Sequence, residues 1–137
     1  MSKYDARKIL VADNDEDVLV ALERVLEDDG YATTTAISSA EMCKLLSGGG
    51  FDLLVLDDSL SDKHSVQILA ECRKLGIAVL TVVTYHRFPS MEEETRLRDL
   101  GVCALVNKQS HSELVELAHY LLSPCGVRND DRFHNTT

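Results

Sequence analysis

Residues 51–62 read Phe-Asp-Leu-Leu-Val-Leu-Asp-Asp-Ser-Leu-Ser-Asp, with the apolar run from Leu53 to Leu56 leading straight into the acid pair Asp57-Asp58. An apolar run this short, lacking the polar alternation of a half-buried strand, suits a strand covered on both faces of a parallel sheet. Working outward, residues 8–12, 31–35, 78–83 and 103–106 are further β-type runs. The segments between them have helical periodicity: 15–29 (stripe Val18, Ala21, Leu22, Val25), 39–46, 65–75, 91–100 and 111–122. Gly30, Gly48 to Gly50, Gly76 and Gly101 stand where helices would stop. Ser38/Glu41, Ser90/Glu93 and Ser110/Glu113 have capping-box spacing at three helix starts. Strand and helix therefore alternate five times. That alternation predicts an α/β fold: a doubly wound five-stranded parallel sheet with five helices on right-handed crossovers, for which the order 2-1-3-4-5 is expected.

A chain of 137 residues is one domain's worth, long enough to bury about two-thirds of its unfolded surface. The domain is expected over 1–123, followed by a polar tail over 124–137. An apolar fraction of 45% with 27% charged residues is globular composition. The formal charge of −9 repels phosphate backbones, so nucleic acid is not an expected partner, while metal ions and basic protein surfaces are. No apolar stretch is long enough to span a membrane, and the N-terminus has no signal-peptide core. Cys43, Cys72, Cys103 and Cys125 form no CxxC pair and read as buried free thiols of a reduced compartment. A soluble, cytoplasmic protein is expected.

Ligands of an open parallel sheet gather beyond the carboxyl ends of its strands. Asp13-Asn14-Asp15-Glu16-Asp17 follows the first run, Asp57-Asp58 the third, Thr84-Tyr85-His86 the fourth and Lys108 the fifth. With strands one and three adjacent, Asp13, Asn14 and Asp57 converge on one edge, and Lys108 approaches from the far side of the fourth strand. Clustered carboxylates repel one another unless a hard cation sits among them, and Mg²⁺ prefers such an oxygen-rich, part-hydrated setting. A carboxylate beside Mg²⁺ and a lysine can attack a phosphoryl group and become an aspartyl phosphate. Taken singly, acids after strands are more simply helix caps and dipole partners, the role expected of Asp15, Glu16 and Asp17.

These segments resemble the receiver domains of bacterial two-component response regulators, from about residue 8 to 122. Lys8-Ile-Leu-Val-Ala-Asp13-Asn14-Asp15-Glu-Asp-Val18 is similar to the family's opening strand and acid pair. Residues 51–62 are similar to its phosphoacceptor strand and loop, and Gly101-Val-Cys-Ala-Leu-Val-Asn-Lys108 to its lysine-bearing strand. The resemblance implies Asp57 as phosphoacceptor and Asp13 as a Mg²⁺ ligand through water. Asn14 and the Ser59 backbone carbonyl would complete the protein's share of the metal, with Lys108 on the phosphoryl group. It also implies a sensor histidine kinase or phosphotransfer protein as partner.

Some positions depart from the family pattern. Asn14 stands where a carboxylate usually binds the metal, Ser61 and Ser65 replace the usual Pro and Gly after the phosphoacceptor, and Leu105 fills the aromatic switch position. The switch hydroxyl falls on Thr84 or its slot on Val83, depending on how the fourth strand is aligned. His86 is a loop histidine that reads as solvated, His111 and His119 are eight apart and not a metal pair, and Gly48 to Gly50 is no phosphate loop.

Three functions compete. The residues favour a phospho-accepting receiver that catalyses only its own phosphorylation and hydrolysis. Asn14 and Leu105 point instead to a pseudo-receiver, a phosphorylation-independent interaction domain. A small aspartyl-nucleophile hydrolase is opposed by a chain too short for a cap or lid. For output, the helix 111–122 is expected to cover the sheet with Leu114, Leu117, Ala118 and Leu121. Val115 and Leu122 would remain outside for a homodimer or another protein partner.

Overall fold

The computed structural model describes residues 6–60 and 63–123; the expected tail 124–137 lies outside them. Five strands, β1 (Lys8–Ala12), β2 (Ala32–Ala36), β3 (Leu53–Asp57), β6 (Thr81–Tyr85) and β7 (Val102–Asn107), form one parallel sheet. Their order is β2-β1-β3-β6-β7, the 2-1-3-4-5 order expected, because the short strands β4 (Ser59–Leu60) and β5 (Lys63–His64) make a separate two-stranded hairpin. The helices are α1 (Glu16–Asp28), α2 (Ser39–Ser47), α3 (Ser65–Lys74), α4 (Met91–Asp99) and α5 (His111–Leu122).

Side chains alternate across a strand, so each central strand feeds two cores. Leu10, Ala12, Leu54, Leu56 and Val83 pack under α2, α3 and α4 with Met42, Ile68 and Leu97. Ile9, Val11, Leu53, Val55, Val82 and Val106 pack under α1 and α5 with Leu22, Leu26, Leu114 and Ala118. Every residue of β3 is buried, which is why its sequence shows no polar alternation.

Several sequence expectations shift in register. The buried stripe of α1 is Leu19, Leu22 and Leu26; Val18 packs half-buried against the same core, and Val25 is half-buried outside it. On α5 the core residues are Leu114, Ala118 and Leu122, four apart on one face, so Leu122 is not a surface residue. Leu117, Leu121 and Val115 all flank that core half-buried. The expected strand at 78–83 begins only at Thr81. Residues 77–80 are apolar, but β7 starts at Val102, so the ladder with β6 starts at Thr81. Ser90/Glu93 forms a full capping box, and Ser38 caps α2 while Glu41 reaches the Ile37 N–H. Ser110 makes no side-chain cap; the turn before α5 is held by the Gln109 N–H donating to Asn107 Oδ1 at 2.9 Å. Among the described cysteines, Cys72 is buried, Cys43 half-buried and Cys103 exposed, so burial is not common to these three; Cys125 lies outside the described residues.

Gly101 shows why one helix stop must be glycine. Its φ is 97°, and a Cβ there would sit 3.1 Å from Arg73 Nη1, which donates to the Leu100 carbonyl at 3.0 Å.

Leu54 is fully buried in the centre of the first core. Leu54→Ala is expected to cost about 2–5 kcal/mol, read as a lower urea midpoint at unchanged slope.

Candidate functional site

The parity that splits the cores also builds the site. Continuing β1 and β3 past Val11 and Val55 puts Asp13 and Asp57 on the α1/α5 side at the carboxyl edge, both buried. The ladder carries on to these ends: the Asp13 N–H donates to the Ala36 carbonyl and the Lys108 N–H to the Tyr85 carbonyl. In β6 the register partner of Asp57 is Thr84, buried and on the same side, whereas Val83 pairs with Leu56 and points into the opposite core. Of the two, Thr84 is the one that lies beside Asp57.

Lys108 ties the edge together. Its Nζ is 3.1 Å from Asp13 Oδ2 and 3.2 Å from Asp57 Oδ2. The remaining carboxylate oxygens are held by backbone: Asp13 Oδ1 accepts from the Asp15 N–H at 2.9 Å, and Asp57 Oδ1 from the Ser59 N–H at 3.4 Å. Burial, then the neighbouring Asp13 charge, pushes the Asp57 carboxyl above its usual range, although Lys108 and the Ser59 N–H pull the other way. Burial works against the Lys108 ammonium, but the two carboxylates outweigh it and raise its pKa.

Asn14 is exposed beside this cluster, and Ser59 is exposed just after Asp57. Asp15 is committed elsewhere: it is the N-cap of α1 and accepts from the Asp17 N–H. Among the described residues, no group of three or more His, Cys, Asp or Glu side chains could hold a metal. The oxygen donors present, two buried carboxylates with an amide and a backbone carbonyl at hand, are hard ligands of the kind Mg²⁺ takes with several waters. They fit that ion, one carboxylate short of a strong site.

His86 is exposed, and Leu105 is half-buried opposite Val83. His119 lies at the other end of the domain, its Nδ1 3.2 Å from Tyr31 Oη and 3.4 Å from Asp29 Oδ2. Sequence reasoning missed one feature near the site. Ser65, where a glycine was the usual residue, is fully buried and donates its hydroxyl to Asp58 Oδ1 at 2.6 Å. The Asp-Asp pair and the Ser-for-Gly exchange were both visible in the sequence, but not their contact across six residues.

Two strand-end aspartates on one lysine thus mark the carboxyl edge of a doubly wound α/β domain. A family model, the response regulator receiver domain, matches residues 9–119, and the chain belongs to that family. Over 66 residues it is 36% identical to the alginate biosynthesis transcriptional regulatory protein AlgB of Pseudomonas putida, covering 48% of this chain and 15% of that protein. It is 28% identical to the transcriptional regulatory protein GlrR of Escherichia coli over 90 residues, 64% of this chain and 20% of GlrR. The chain thus spans a fifth or less of these relatives. A CheY-like receiver domain from Methanospirillum hungatei superposes with a TM-score of 0.77 at 23% identity, covering 85% of this chain and 94% of the other. The Francisella response regulator 1452 receiver domain gives 0.76 at 24% identity, over 85% and 96%. The fold is theirs. No helix among the described residues is long and apolar enough to cross a membrane.

A raised carboxyl pKa means that ionised Asp57 opposes folding at neutral pH and ceases to do so as pH falls through its folded value. Asp57→Asn is therefore expected to raise the melting temperature of the metal-free protein at pH 7. The gain should shrink on acidification toward the pH where wild-type Asp57 is protonated. Scanning calorimetry across that range checks both sign and slope.

Proposed function

We propose that this chain is a phospho-accepting receiver, with Asp57 as the nucleophile. The observation that carries the reading is Lys108 bridging Asp13 and Asp57 at the carboxyl edge. An Asp57 oxygen attacks the donor's phosphorus; the new P–O bond forms as the bond to the leaving group breaks, and that group departs with the electron pair. The Lys108 ammonium moves from carboxylate to phosphoryl oxygens and offsets their charge, and the Thr84 hydroxyl donates to the same group. Asp57, Asn14, the Ser59 carbonyl and, through water, Asp13 would hold Mg²⁺, which supplies charge neutralisation at the phosphoryl oxygens.

The donor is a sensor histidine kinase or a phosphotransfer protein, in a cytoplasmic pathway. The chain catalyses no turnover beyond its own phosphorylation and hydrolysis. Output runs by protein contact through α5 and its neighbours, to a second copy or another protein and not to nucleic acid. There the exposed Tyr120 and the half-buried Val115, Leu117 and Leu121 supply apolar surface. A second reading, a pseudo-receiver that binds partners without phosphorylation, is favoured by Asn14 at the metal edge and Leu105 at the aromatic switch position.

Incubation with a small acyl phosphate and Mg²⁺ is expected to add one hydroxylamine-labile phosphoryl group by intact mass, and Asp57→Asn to abolish it. Wild type that stays unlabelled supports the pseudo-receiver; labelling of the variant moves the nucleophile, first to Asp58.

Metal affinity is the second test. Asn14→Asp restores a charge to a site held together by electrostatics, and is expected to tighten Mg²⁺ about tenfold, some 1.4 kcal/mol. Titration of both forms, followed by amide shifts, checks it; equal affinities would mean that Asn14 faces away from the metal.

A further inference from the structure

We infer that Asp58 and Ser65 form a clamp that shuts the loop after β3 and positions Asp57 and the Ser59 backbone for phosphoryl transfer. The inference rests on the receiver reading above, and assigns a positioning role that Asp58 does not have by that reading.

Asp58 uses three groups. Its N–H donates to the Thr84 carbonyl at 2.8 Å, its carbonyl accepts from the Ser65 N–H at 2.8 Å, and its Oδ1 accepts from the Ser65 hydroxyl at 2.6 Å. The end of β3 is thereby joined both to the strand that carries Thr84 and to the first residue of α3. Ser65 is fully buried, so its hydroxyl has no water to fall back on if the carboxylate leaves. Helix α3 needs this support. Its N-cap, His64, makes no side-chain cap and its first turn holds no acid, so Asp58 supplies from across the loop the carboxylate that a helix N-terminus attracts.

Between the two clamp residues the chain folds into the β4–β5 hairpin, with Ser59 opposite His64 and Leu60 opposite Lys63. Leu60 is fully buried in the first core and anchors the hairpin from below. Ser59 is therefore fixed by Asp58 on one side and Leu60 on the other. Its N–H is the one bonded to Asp57 Oδ1, and its carbonyl is the proposed metal donor. A loop without Pro at 61 thus gains by a side-chain bond the rigidity that a fixed proline torsion would otherwise give.

Ser65→Ala, Asp58→Ala and Asp58→Asn test this, each compared with wild type for melting temperature, for amide hydrogen exchange at Ser59, for Mg²⁺ affinity by amide shifts, and for the phosphorylation rate from a small acyl phosphate. Ser65→Ala and Asp58→Ala are expected to speed exchange at Ser59, weaken Mg²⁺ and slow phosphorylation roughly tenfold, measured where each variant is fully folded. Asp58→Asn, which keeps the acceptor oxygen, should stay close to wild type. A lower melting temperature with unchanged exchange, affinity and rate would overturn the clamp as a positioning device, as would Asp58→Asn losing as much as Ser65→Ala. Should wild type fail to label, the receiver reading falls, and the exchange and Mg²⁺ arms still decide the clamp.

Discussion

A single ammonium group holds two buried carboxylates at the end of the sheet. Lys108 lies within salt-bridge distance of both Asp13 and Asp57, and neither carboxylate has enough contact with water to stand alone. A buried charge without a partner is among the costliest features a fold can carry. The three residues come from three strands that are distant in sequence, so their meeting depends on strand order, register and side-chain parity all being right. An error of one residue in any of these strands would turn an acid or the lysine into the opposite core.

That dependence explains the rest of the architecture. Parallel strands with helices on both faces leave the middle of the sheet wholly apolar, and the polar groups can then appear only where the strands stop. β3 shows the transition in one step: four buried apolar residues, then a buried carboxylate. Asp15 and Asp58 carry different work from Asp13 and Asp57, although they lie one or two residues away. Each fastens a helix start, Asp15 by capping α1 and Asp58 by holding Ser65 at the head of α3. Acids beyond the strand ends thus divide into those facing the lysine and those fixing the loops around it.

Most of this was legible in the chain. Apolar runs, glycine stops and Ser/Glu spacings encode local structure, and alternation of elements encodes a doubly wound parallel sheet, though not by itself which strands are neighbours. The acids and the lysine were legible because each follows a strand. What could not be read depends on contacts between distant segments. The start of β6 is set by where β7 begins, not by the apolar content of residues 77–80. The face of α5 that is buried depends on how the helix is rotated on the sheet, which brings in Leu122 and moves Leu117 and Leu121 to the flank. Ser110 had the spacing of a cap, yet the Asn107 side chain takes over the turn before α5. The choice between Val83 and Thr84 needed the register of β6 against β3. The Asp58–Ser65 bond needed the loop to close.

Asn14 sets the electrical character that remains. Asp13 and Asp57 bring two negative charges and Lys108 one positive, leaving the edge at −1 when both acids are ionised; a carboxylate in place of Asn14 would make it −2. The more negative edge would hold a divalent cation more firmly and repel an anionic phosphodonor more strongly before the cation arrives. The amide weakens both effects. It also leaves one fewer charge near Asp57, whose pKa is raised first by burial and then by the Asp13 charge. A weaker pull on any divalent cation and a less negative surround for Asp57 would therefore be two consequences of the same missing charge. At this edge Lys108 is the one cation within reach of both buried carboxylates among the described residues, and it pulls the Asp57 pKa down against burial and the Asp13 charge.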